Sequence, residues 1–281
     1  MEGWRLGFLA LSIFGLIATW YCNLQDPVIA DMFLKPSVLL DPSYAPRVFG
    51  TFLREQATNR MTLTITTQFV VLIGTIVILN CRATAGSLGK RLCFHYLGLG
   101  VAVACSFPLQ CALCTQPKNP CVDAFPAWVA TGIWGSGTLA ILYGSTSEIN
   151  VWYFGLTAAV PLVYERVTRN APFAFLELRN HRSAYQALAG INFLASAASW
   201  CFAWHGGSPF ATWFTSSIFW DLFTCWVCAA AWVARHTRRN APLTVLTLLC
   251  PSAGLPLALA SIYSSCATSD EEPAAYAIAP S

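Results

Sequence analysis

Residues Trp213 to Ala234 read WFTSSIFWDLFTCWVCAAAWVA, 22 residues with one charge, Asp221, near the middle. Arg235, Arg238 and Arg239 follow closely. As a helix rising ~1.5 Å per residue, the run crosses the ~30 Å hydrocarbon core of a bilayer. A charged side chain at the centre of such a helix costs ~2.5–3.5 kcal/mol on insertion scales. Asp221 therefore needs either a partner or a task.

The rest of the chain has the same character. Of its 281 residues, 56% are hydrophobic and 10% charged, with a mean hydropathy of +0.54. Soluble domains carry about 25% charged residues. The composition predicts an all-α, polytopic membrane protein, a single helical domain over 1–264 with a disordered acidic tail over 265–281. Spans are expected at about 4–23, 61–80, 92–113, 125–144, 149–164, 183–204, 213–234 and 243–264. Pro108 should kink or end the third, and the last contains Pro251 and Pro256. Between the first two spans, residues 25–60 hold four prolines and only short apolar fragments, which fits an interfacial or re-entrant loop.

Charge does not settle the number of crossings. Eight spans put 12 Lys and Arg on one side and 4 on the other, and seven put 11 against 5, out of 16 in all. Both satisfy the positive-inside rule. Eight is favoured, because one helix over 125–164 would reach ~60 Å. Multi-pass insertion in the endoplasmic reticulum is the expected location. The basic residues are scattered, without the clustered pattern that nucleic-acid binding requires.

The twelve cysteines fall mostly inside the spans, as small apolar residues do. Cys111-x-x-Cys114 and Cys225-x-x-Cys228 share a helix face without completing a zinc set, so no metal is expected. Cys114 and Cys121 flank a Pro-rich turn, as a disulfide or as free thiols. Arg-Asn-Ala-Pro occurs at 169–172 and again at 239–242, an echo too short to define a duplicated fold. Neither inverted repeats nor matched broken helices are evident.

Around Asp221, helical spacing brings Phe214, Ser217, Ile218, Thr224, Cys225 and Cys228 to the same face, mostly small and polar, so the carboxyl should point into the bundle. Other spans carry comparable stripes: Ser12, Gly15, Thr19, Asn23 and Asp26; Thr64, Thr67, Gln68 and Thr75; Tyr185, Asn192, Ser196 and Ser199. Converging, they would enclose a polar pocket walled by tryptophans, including Trp20, Trp200 and Trp220. Glu165, one turn after Pro161, is the candidate second acid. A carboxylic acid taken out of water favours its neutral form. Such an acid can protonate a lipophilic substrate, and ring faces around it can stabilise the cation formed. The competing structural reading has Asp221 hydrogen-bonded to Asn192 or to a neighbouring helix. No GxSxG, HExxH, His-rich box or aspartate-rich pyrophosphate motif is present, which argues against serine-hydrolase, zinc-protease, di-iron desaturase and Mg²⁺-pyrophosphate chemistry.

Through Trp20-Tyr21-Cys22-Asn23-Leu24-Gln25, and through Phe219-Trp220-Asp221-Leu222-Phe223 followed by Trp232 and Arg235, the chain resembles the fungal integral-membrane terpene cyclases of meroterpenoid pathways. The ascofuranone type is the nearer likeness, the pyripyropene type the more distant. The latter carry an early-span Trp-Glu motif where this chain has Gln68. The resemblance implies a cofactor-free enzyme that protonates an epoxide on a prenyl chain and cyclises the cation. Asp221 and Glu165 would be the catalytic acids, and Asn23, Trp20, Tyr185, Asn192, Trp200 and Trp220 the substrate-binding residues. Its partners would be a lipophilic prenylated epoxide and the bilayer. Opening of the epoxide by water is one alternative, and a small-molecule or proton-coupled transporter using Asp221 as its ion site is another.

Overall fold

The computed structural model describes residues 2–35, 37, 59–83, 87–114, 162, 181–203, 207–237 and 240–266. The expected span at 125–144, that at 149–164 apart from Leu162, Glu165, Cys121, the first Arg-Asn-Ala-Pro and the tail beyond 266 lie outside these. The described residues are helical, with no strand: α1 (Glu2–Asn23), α2 (Pro27–Leu34), α3 (Arg60–Ala83), α4 (Leu88–Gly100), α5 (Val103–Leu113), α6 (His181–Ala203), α7 (Trp213–His236), α8 (Ala241–Leu249) and α9 (Pro251–Cys266). Gly3–Asn23, Arg60–Asn80 and Trp213–His236 are long and apolar enough to cross a membrane.

The helix ends follow from side chains at the caps. Thr212 accepts a hydrogen bond from the Thr215 N–H at 3.2 Å to start α7, and Arg235 and His236 lie in its last turn. After α1, the Asp26 carboxylate accepts the Ile29 N–H at 3.1 Å and opens α2, which is too short to cross. Of residues 25–60, only 25–35, 37, 59 and 60 are described.

Two of the expected spans are not continuous. The third is broken at Val101 and Ala102, so Pro108 neither ends nor divides it; the break comes earlier, where Gly98 and Gly100 weaken the helix. The last is broken at Cys250, held extended at φ −148° and ψ 84° before Pro251, whose ring disfavours helical geometry in the preceding residue. The two breaks correspond in detail. In α5 and in α9 alike, a proline stands sixth in the new helix, Pro108 and Pro256. Each leaves the second residue's carbonyl, on Ala104 or Ser252, without its usual N–H donor.

This correspondence extends to the whole bundle. Helix α1 packs on α5 and α7, and α6 packs on α9 and α3. Helix α7 in turn touches α5, while α3 touches α9. Replacing α1, α3 and α4/α5 by α6, α7 and α8/α9 reproduces the pattern of neighbours. Burial keeps the same phase: Phe8, Ser12 and Thr19 are buried on α1, as are Leu188, Asn192 and Ser199 on α6. Thr62 and Thr215, each third in its helix, touch at 2.6 Å through their hydroxyls. Equivalent residues in mutual contact mark a local twofold axis, with α3 and α7 starting at the same end. The structure is therefore duplicated, and it has matched broken helices that the sequence does not display.

Helix α3 is the centre of the bundle, 89% of its apolar window being buried against 28% for α1. A main apolar cluster joins Leu72, Ile76 and Leu79 of α3 to Phe107 of α5, Val233 of α7 and Leu255 of α9.

Candidate functional site

Asp221 is buried, as its helical phase predicts. Of the two structural partners expected, its partner is a neighbouring helix and not Asn192. The Asp221 Oδ1 accepts a short hydrogen bond from the Ala104 N–H, the second residue of α5. Ala102, the residue at that helix's own cap position, offers no side-chain acceptor. The first N–H groups of any helix lack intrahelical partners and carry partial positive charge. Asp221 thus caps α5 from a different helix, and a buried carboxyl stands where backbone polarity suits it.

The neighbouring segment of α1 is shaped to this break. A Cβ on Gly15 would lie 2.6 Å from both the Cβ and the carbonyl oxygen of Ala104, so only glycine lets the two backbones come this close. One turn away, the Ser12 hydroxyl donates to the Cys105 carbonyl at 2.8 Å. The Cys228 and Cys111 thiols meet at 3.8 Å between α7 and α5, so one cysteine from each C-x-x-C pair comes together. Among the described residues, no group of three or more His, Cys, Asp or Glu is placed to hold a metal ion. Cys114, just past α5, has its thiol pushed up by burial, with the Lys90 charge opposing.

Among the described residues, the polar stripes meet at two places. Those of α1 and α7 meet at the α5 break, and those of α3 and α6 meet at the α9 break. There the Gln68 Nε2 donates to the Ser196 carbonyl at 3.0 Å and the Ser199 hydroxyl at 2.7 Å. The Asn192 Nδ2 donates at 2.8 Å to the Ser252 carbonyl, the one Pro256 leaves without a helical donor. Hydroxyls of Ser196 and Ser252 meet at 2.7 Å. Gln68 and Asp221 are each ninth in their helices, so two equivalent positions serve the two breaks differently.

The expected substrate-binding residues are dispersed. Trp200 lines a cleft of about 160 Å³ beside the α9 break, and Asn192 supports that break. The Trp220 ring meets Phe14 edge-on at 5.7 Å in a partly exposed aromatic cluster with Phe219 and Phe223. Tyr185 is fully buried in the apolar core. Trp20 and Asn23 lie at the end of α1, where their carbonyls accept the N–H groups of Leu24 and Asp26 at 2.9 and 3.1 Å. Trp226, not singled out by the sequence, donates from its indole to the Leu248 carbonyl at 3.1 Å, satisfying the last turn of α8.

The fold and the site together define an all-helical protein with helices of membrane-crossing length and a carboxyl group buried at a helix break. No protein-family model, curated protein or solved structure matches the chain.

Proposed function

We propose that the chain is a multi-pass enzyme of the endoplasmic reticulum membrane, a bundle of seven or eight crossings, that opens an epoxide on a prenyl chain and cyclises the cation. The observation that supports this reading best is the Asp221 carboxyl, buried in an apolar bundle and anchored through Oδ1 to the Ala104 N–H. The anchor fixes the acid's position, as general acid catalysis requires. Oδ2 is then the atom that carries the proton. The epoxide oxygen takes that proton as its bond to the more substituted carbon breaks. A neighbouring alkene supplies the electron pair for the new C–C bond, and the final cation loses a proton to Asp221 or to Glu165. Substrate and product have the same formula. The likeness of Phe219-Trp220-Asp221-Leu222-Phe223 to the membrane terpene cyclases points the same way.

The test is incubation of membranes carrying the full chain with an epoxidised prenyl-aromatic compound. Wild type should give a cyclic isomer, and Asp221→Asn should abolish it at unchanged expression. A diol as product would make the enzyme an epoxide hydrolase, and undiminished turnover in Asp221→Asn would remove the acid role. Glu165→Gln should also cause a large loss.

Transport of a small molecule, with Asp221 as the proton site, is favoured by a different observation. Duplicated units with broken helices at mid-span are the architecture of many secondary transporters. Uptake into proteoliposomes driven by a proton gradient, without chemical change of the solute, would establish that reading instead.

A further inference from the structure

The cleft beside the α9 break opens among helices α3, α6, α7 and α8. Its walls include the rings of Phe193, Trp200 and Trp226, and its polar lining includes Gln68. It exists because the two equivalent breaks are packed differently. At the first, Gly15 brings α1 directly onto Ala104. At the second, α6 meets α9 through the side chains of Asn192 and Ser196 instead.

Gln68 is 94% buried, being 6% exposed. Both its hydrogen bonds run through Nε2, and among the described residues its Oε1 accepts none. An amide oxygen that accepts no hydrogen bond keeps both lone pairs for a donor from outside the protein. Of the two indoles on the walls, the Trp226 N–H is spent on the Leu248 carbonyl. Gln68 Oε1 is thus an acceptor on the lining residues that a ligand's hydroxyl can engage. Its volume, about 160 Å³, is close to that of a ~150 Å³ engineered cavity that holds benzene. The mouth is apolar, with Trp200 and Phe193 each 52% exposed and Leu249 74% exposed.

We propose that this cleft binds the head of a lipid-soluble alcohol. A six-membered ring sits between the aromatic walls, its hydroxyl donates to Gln68 Oε1, and its tail leaves through the mouth into the bilayer. Gln68 is the specificity-determining residue. The proposal concerns binding alone and stands apart from the acid chemistry of Asp221.

Cys250 lines the cleft and is half-buried, whereas Cys93 on α4 is exposed and does not line it. Membranes carrying the full chain are treated with N-ethylmaleimide in the presence of 4-pentylphenol, 4-pentylcyclohexanol or 4-pentylanisole, and alkylation of each cysteine is read by mass spectrometry. The alcohols should protect Cys250 at concentrations roughly ten-fold lower than the methyl ether, which has no donor. Cys93 should be alkylated equally throughout. Whichever alcohol protects at lower concentration distinguishes a phenolic ligand from a saturated one. In Gln68→Leu the gap between alcohol and ether should close. Equal protection by ether and alcohols in wild type, or no protection of Cys250 at all, overturns the proposal, as does a gap that survives in a folded Gln68→Leu protein. Should that variant fail to fold, the wild-type comparison alone decides. None of these readouts depends on epoxide turnover.

Discussion

Asp221 has two separable properties, an acceptor oxygen and an exchangeable proton. Asparagine keeps the first and removes the second. Asp221→Asn should therefore fold like wild type, with its amide oxygen accepting the Ala104 N–H, while losing all proton transfer. Asp221→Leu removes both and should lower stability by about 1–2 kcal/mol, the scale of a lost helix cap. Thermal unfolding of the detergent-solubilised protein should show a lower midpoint for the leucine variant only; equal losses in both would mean that the capping bond contributes nothing. Helical spacing was enough to show that Asp221 faces inward, because the small residues Ser217, Thr224 and Cys228 share its face. Its partner was hidden for a physical reason. The donor is a backbone N–H, which has no letter in the sequence and is available only because α5 starts at that point.

At the scale of the element, the two broken helices show where hydropathy stops being informative. Val101-Ala102 and Cys250 are as apolar as the helices they divide, so a reading by composition merges each pair into one span. The prolines were visible, but Pro108 lies within α5 and the break precedes it. At the other break, Asn192 takes over the work of the N–H that Pro256 lacks. Asn192→Leu should destabilise by about 1–3 kcal/mol, the cost of a buried acceptor left bare. Adding Pro256→Ala restores an N–H in the helix and should recover part of that loss. A double-mutant cycle measures this coupling, and strictly additive effects would contradict it. The packing of α5 on α7 can be checked directly. Copper phenanthroline should cross-link Cys111 to Cys228, whose thiols are 3.8 Å apart, and should do so less readily in Gly15→Val, where α1 forces Ala104 away.

For the molecule as a whole, the duplication relates helices whose sequences barely agree. Aligned from their first residues, α3 and α7 share Thr62 with Thr215, Ile65 with Ile218 and Arg82 with Arg235, and little more. The Arg-Asn-Ala-Pro echo is not a remnant of it. Arg239 to Pro242 joins α7 to α8, and the equivalent connection in the first unit, between α3 and α4, has no such motif. The likeness resides in neighbours and in breaks, which single residues do not encode. The contact between Thr62 and Thr215 bears on how the chain is threaded through the membrane. Because α3 and α7 start at the same end, they run in the same direction. Two crossings made in one direction are separated by an odd number of others, so of the seven or eight crossings proposed, seven is the expected count. An odd count leaves the two chain ends in different compartments. With seven crossings, the N-terminus would share its side with 11 of the 16 Lys and Arg, and the positive-inside rule predicts that side to be the cytosol. A glycosylation acceptor fused at the C-terminus should be modified in the lumen and one fused at the N-terminus should not, whereas eight crossings would return both ends to the same side.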